Sequence, residues 1–266
     1  MNMYLHELKS LRKTTIIWVC SMAAIAALYF SLYGSITSDV TGFKNILAAY
    51  PESVRNALGV SLDSITSLLG FYSMIMAFVT LLGAIQAMNI GVSIISKEMR
   101  ERTADFLLVK PISRMAIVSS KLLAALTSIL VTDVIYFAAV SIIASIVKHS
   151  DYSNKLFLMV NLTLLFIQLI FLAIGIFISV ILPKIKSVLP ISLGIVFALY
   201  LIGAIIVTGS NDWTRFISPF KYFDIPYIIT NSSYEAPYLI TGAVIVITTI
   251  VTSYIIYAKK DIHAVS

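Results

Sequence analysis

Asp133 is the one acidic or basic residue near the middle of a long apolar stretch, twelve residues from Lys121 and fifteen from Lys148. An ionisable group at that depth costs about 3 kcal/mol or more unless it is paired, solvated or protonated, so it faces protein or a water-filled path. Two readings stay open for it: a substrate or ion site, or a neutral, hydrogen-bonded packing residue. Gln86, Asn89, Asn161 and Gln168 lie at comparable depth in neighbouring stretches. With Asp133 they form the candidate translocation path, and their alternative role is interhelical hydrogen bonding.

Other chemistries lack the residues they need. Cys20 is the single cysteine, which excludes an internal disulfide framework, and it reads as a small buried residue. His6, His149 and His263 all fall outside the apolar stretches, so neither a zinc cluster nor an intramembrane Ser/His pair can be assembled. None of the eleven glycines is followed by lysine, and so the chain has no G-x-x-x-x-G-K-[ST] phosphate loop. No catalytic residue, metal site or bound cofactor is assigned, and the chain reads as a non-enzyme. The net charge of +6 is spread between apolar stretches rather than gathered in one patch, which argues against nucleic acid as a partner.

The elements that must hold these residues follow from composition. Of 266 residues 59% are apolar and 12% charged, against about a quarter charged in soluble domains. The mean hydropathy is +0.95. A hydrocarbon core about 30 Å thick needs about 20 helical residues. Six windows meet that length, over Ile16–Tyr33, Leu68–Ile95, Ala116–Val147, Leu156–Leu182, Val188–Val207 and Pro237–Tyr257. They are too long and too uniformly apolar for barrel strands, so the fold class is an all-α membrane protein with six transmembrane helices in a single domain over 1–266.

Lys and Arg set the orientation, because cytoplasmic loops retain the positive excess. One side carries Lys9, Arg12, Lys13, Lys97, Arg100, Arg102, Lys110, Arg114, Lys121, Lys184, Lys186, Lys259 and Lys260. The other carries Lys44, Arg55, Lys148, Lys155, Arg215 and Lys221. Thirteen against six puts both termini in the cytoplasm. Two outer loops, 34–67 and 208–236, are long, and the second is rich in aromatics broken by Pro219 and Pro226. Short interfacial helices are expected there.

The cytoplasmic loop 96–115 is dense in charge. Glu98 and Arg102 stand at i, i+4 and support a helical continuation of the second span. Thr103 can cap a short further helix, Phe106 to Val109 supply an apolar patch, and Pro111 ends it. Ser113 can then cap the third span. An ordinary positive-inside loop has the same charge pattern. A short charged helix with an apolar patch, held between two spans, is also what docking onto a cytoplasmic partner requires.

This stretch resembles the permeases of ABC-2 type ATP-binding cassette transporters at Glu98, Thr103, Leu107, Leu108, Pro111, Ser113, Arg114 and Lys121. The similarity extends to the segment from Tyr50 to Gly59 and to that from Ser218 to Asp224. One departure is Arg102, where the family usually has glycine. The resemblance implies a membrane half-transporter in the bacterial cell membrane, exporting a hydrophobic or amphipathic cargo. It further implies a separate ATP-binding subunit carrying ATP and Mg, a second permease copy or paralogue, and a surrounding lipid bilayer. Glu98, Arg102, Thr103, Phe106, Leu107, Leu108, Pro111, Ser113 and Arg114 would then form the coupling segment. A rival reading is a self-sufficient secondary transporter or channel with Asp133 as its proton or cation site.

Overall fold

The computed structural model describes residues 3–51, 54–55, 65, 67–100, 113–148, 151–182, 185–206 and 212–259. Six helices in it are long and apolar enough to cross a bilayer. These are α1 (Met3–Ser38), α3 (Leu68–Arg100), α4 (Arg114–Val147), α5 (Asn154–Ile181), α6 (Val188–Ile206) and α8 (Ala236–Lys259). Among the described residues, short helices between spans include α2 (Val40–Ala48) and α7 (Ile225–Asn231), and 3₁₀ turns run over Asp212–Ile217 and Pro219–Lys221. Short helical pieces are thus present in both long loops, 34–67 and 208–236, and no strand occurs among the described residues.

Local chemistry sets several boundaries. Ser113 caps α4, its Oγ accepting from the Ala116 amide at 3.2 Å. Ser153 caps α5 and Asp224 caps α7 in the same way, the latter with Pro226 in the first turn. Pro190 sits in the first turn of α6, where a missing amide hydrogen costs nothing.

α1 begins thirteen residues before the expected start of its span. The reason is a stripe that continues backwards from the span: Glu7, Thr15, Val19, Met22, Ala26, Phe30 and Tyr33 are all buried, at steps of mostly three and four. Hydropathy averages over that stripe because its first members are polar.

α3 and α5 form the centre. Of its apolar window α3 buries 78% and α5 61%, whereas α8 buries 11% and must show most of its surface to lipid or to another chain. The central pair touch backbone to backbone: a Cβ at Gly91 would lie 2.5 Å from the Leu172 carbonyl oxygen, and one at Gly175 would lie 2.8 Å from that of Met88. These glycines therefore serve close approach of helices rather than flexibility. Around this seam one apolar cluster gathers Met88, Ile129, Phe171 and Tyr222, and a second gathers Phe30, Tyr72, Tyr136 and Phe157. Cys20, read as buried, is exposed on α1. It follows the buried Val19 and falls beside the stripe.

Candidate functional site

The two roots of the loop 96–115 are bound together by side chains from four spans. Lys121, two turns into α4, is 2% exposed. Its Nζ donates to the Ile94 carbonyl oxygen of α3 and lies 3.5 Å from the Glu7 carboxylate of α1. Lys97 of α3 donates to Ser10 Oγ at 2.8 Å. Tyr4 and Thr127 hydroxyls meet at 3.1 Å, and those of Thr15 and Ser128 at 2.6 Å. On the other flank Arg114 donates to the Ala258 carbonyl oxygen at 3.4 Å, and the Ser119 and Tyr254 hydroxyls are 3.0 Å apart. The start of α1, the end of α3, the start of α4 and the end of α8 thus share one end of the bundle. Of the expected coupling residues, Ser113 and Arg114 stand at the root of α4. Arg102, Thr103, Phe106, Leu107, Leu108 and Pro111 lie outside the described residues, as does the side chain of Glu98.

Sequence reading missed Glu7 and counted Lys121 as a loop charge. The signal that could have found Glu7 is its place on the backward stripe through Thr15 and Val19. For Lys121 the signal is weaker, because a lysine near a helix end ordinarily snorkels to water. Only the side-by-side, same-direction packing of α1 and α4 turns the two charges on each other.

The mid-membrane polar residues form two interhelical groups. In the first, Gln86 Nε2 of α3 donates to Thr132 Oγ1 of α4 at 2.8 Å, and Thr132 donates to the Ser128 carbonyl oxygen at 3.0 Å. The Gln168 carboxamide of α5 stands between Gln86 and Asp133. In one orientation its nitrogen donates to Gln86 Oε1 at 3.3 Å, and in the other to both Asp133 carboxylate oxygens at 2.9 and 3.1 Å. In the second group Tyr72 of α3 donates to Asn161 Oδ1 of α5 at 2.8 Å and lies 3.2 Å from the Tyr136 hydroxyl of α4. Asn161 Nδ2 returns to the Phe157 carbonyl oxygen at 2.8 Å. Asn89, half-buried, joins neither group. Gln86, Asn161, Asp133 and Gln168 thus tie α3, α4 and α5 to one another inside this chain.

At the opposite end the segment 212–238 folds into a cap. Arg215 donates to both Glu235 carboxylate oxygens, at 3.0 and 2.5 Å, and to the Lys221 carbonyl oxygen at 3.1 Å. Its guanidinium lies 4.1 Å from the Tyr238 ring centre. Burial would lower the Arg215 pKa, but the Glu235 hydrogen bonds and charge outweigh it and hold the group above its ordinary value. Burial pushes the Lys221 ammonium down. Ser218 Oγ donates to the Leu199 carbonyl oxygen of α6, and Tyr234 donates to that of Met159 in α5. Among the described residues no three His, Cys, Asp or Glu side chains converge on a metal-sized point.

No curated protein matches the chain. The family model described as "ABC-2 family transporter protein" matches residues 1–262, nearly the whole of it. That match takes in all six spans, the polar ties within the bundle and the loop that their ends brace. The chain belongs to the ABC-2 transporter family, as a multi-pass membrane permease rather than the ATPase.

Proposed function

We infer that this permease pairs with a second copy or paralogue and is driven by a separate ATP-binding subunit. That subunit carries ATP and Mg, and the pair exports a hydrophobic or amphipathic cargo. The observation that carries this reading is the bracing of the loop's roots: α1, α3, α4 and α8 are joined by hydrogen bonds and an ion pair within two turns of residues 100 and 114. A push on the loop is then shared by four spans, which is what biasing a path between inward-open and outward-open states demands. In this reading Glu98, Arg102 and Thr103 begin the coupling segment. Phe106, Leu107 and Leu108 seat against the ATPase, and Pro111, Ser113 and Arg114 return the chain to α4. Both termini and this loop face the cytoplasm, as the basic residues indicate.

A self-sufficient transporter would need Asp133 on a wet path. The Gln168 carboxamide beside it supplies a protein partner instead, which favours the packing role.

The test is replacement of Leu107 and Leu108 together by aspartate. Apolar burial supplies docking energy at about 25 cal/mol per Å² before association costs, while exposed charges chiefly orient the partners. The double variant is expected to insert normally yet to lose cargo-dependent ATP hydrolysis and the co-purifying ATPase, with Lys110→Ala doing much less. Retention of ATPase binding and coupled transport by the double variant would remove the coupling assignment.

A further inference from the structure

The cap at the end opposite the 96–115 loop encloses an open pocket of about 500 Å³ that coupling to an ATPase does not use. Trp213, Arg215, Tyr227, Glu235 and Tyr238 are among its walls. Both charges of the Arg215–Glu235 pair border it, and neither is saturated by the other. A guanidinium has five N–H donors, of which the bonds to Glu235 and the Lys221 carbonyl occupy three. A carboxylate has about four acceptor positions, of which Arg215 takes two.

A lone anion entering the pocket would meet the Glu235 charge, and a lone cation that of Arg215. A molecule carrying both signs a few bonds apart meets an opposite charge with each end. Aromatic faces add to the cationic side. Arg215 already covers Tyr238, but Tyr227 is 37% and Trp213 83% exposed, and both rings can take an ammonium group.

The pocket is also continuous with an apolar track. Its lining includes Ala236 and Pro237, in the first turn of α8, and from there Ile240, Val244 and Ile247 follow on one face, each more than half exposed. A pocket bearing both charges at the end of an exposed apolar stripe matches an amphiphile whose headgroup is a zwitterion.

We propose that this pocket binds a phosphate–ammonium zwitterion of the phosphocholine or phosphoethanolamine type, as the headgroup of a bilayer lipid. The phosphate faces Arg215, the ammonium faces Glu235, Tyr227 and Trp213, and the acyl chains lie along α8. The site does not depend on the coupling segment, so its failure would leave the transport reading untouched.

The chain has two tryptophans, and Trp18→Phe makes Trp213 the sole tryptophan, excited selectively beyond the tyrosine absorption. This full-length variant, in nanodiscs of phosphatidylglycerol, is titrated with glycerophosphocholine. A saturable blue shift of Trp213 is expected, with choline chloride or glycerol 3-phosphate requiring roughly tenfold more for the same response. In discs containing phosphatidylcholine, emission should already be shifted and the titration abolished. Tyr227→Ala, at an exposed position, should weaken the glycerophosphocholine response roughly tenfold. No saturable shift in either disc, an equal response to choline alone, or an unaffected Tyr227→Ala variant would overturn the site. A titration undiminished by phosphatidylcholine would overturn the lipid headgroup in favour of a free zwitterion.

Discussion

Lys121 and Glu7 are two charges taken out of water and set 3.5 Å apart between α1 and α4. A buried pair is weak evidence for stability in itself, because desolvation offsets the attraction. Breaking it is another matter. Glu7→Gln leaves the Lys121 ammonium buried with an amide in place of a carboxylate, and is expected to cost about 3–5 kcal/mol. Glu7→Leu combined with Lys121→Met should recover most of that loss in thermal unfolding of the purified protein. A double variant no more stable than Glu7→Gln would mean that the pair does not act as a unit. Lys121 was visible in the sequence as part of a family pattern, but its partner was not, since Glu7 precedes the expected span by nine residues. Asp133 was legible as an anomaly from its depth. Its Gln168 neighbour is thirty-five residues away along the chain and became a partner only when α4 and α5 packed together.

Among the elements, α3 and α5 are more buried than the other four spans, and hydropathy marks only α5, whose window has the highest value at 2.9. The window of α3, the most buried, has a mean hydropathy of 2.1, and that of α8, the least buried, has 2.2. In lipid both protein and bilayer are apolar, so burial is decided by small residues and polar ties rather than by apolar content. Gly91 shows the effect most sharply. Gly91→Leu would drive a side chain into the Leu172 carbonyl, with backbone on the far side and no flexible group to yield. Overpacking of this kind costs about 1–3 kcal/mol, and a lowered melting temperature and yield of folded protein are expected. Gly194→Leu on α6, where nothing stands within 4 Å of the new Cβ, should be close to neutral. Equal tolerance at both positions would refute the backbone contact between α3 and α5.

At the scale of the whole molecule, six crossings place the start of α1 and the end of α8 at one end of the bundle, with the 212–238 cap at the other. The excess of basic residues at that first end predicts that it faces the cytoplasm. In a Cys20→Ser background, single cysteines at Ser38 and Lys148 should react with an impermeant thiol reagent added outside intact cells. Cysteines at Ser10 and Thr103 should react only after permeabilisation. The opposite pattern would invert the protein in the membrane and move the zwitterion pocket to the inner leaflet.

Six spans, the approximate limits of five of them, the capping serine at 113 and short helices in the long loops were all legible in the sequence. Each depends on local properties that a single segment carries: length against bilayer thickness, a hydroxyl ahead of a helix, prolines among aromatics. Tertiary structure decided which helices occupy the centre, that α1 extends back to Met3, that Glu7 meets Lys121, and that Arg215 meets Glu235 in a pocket also lined by Tyr227 and Trp213. Those outcomes depend on which faces of different helices come together. A span in lipid is apolar all round, so its sequence marks that it crosses the membrane but only faintly which side it turns inward.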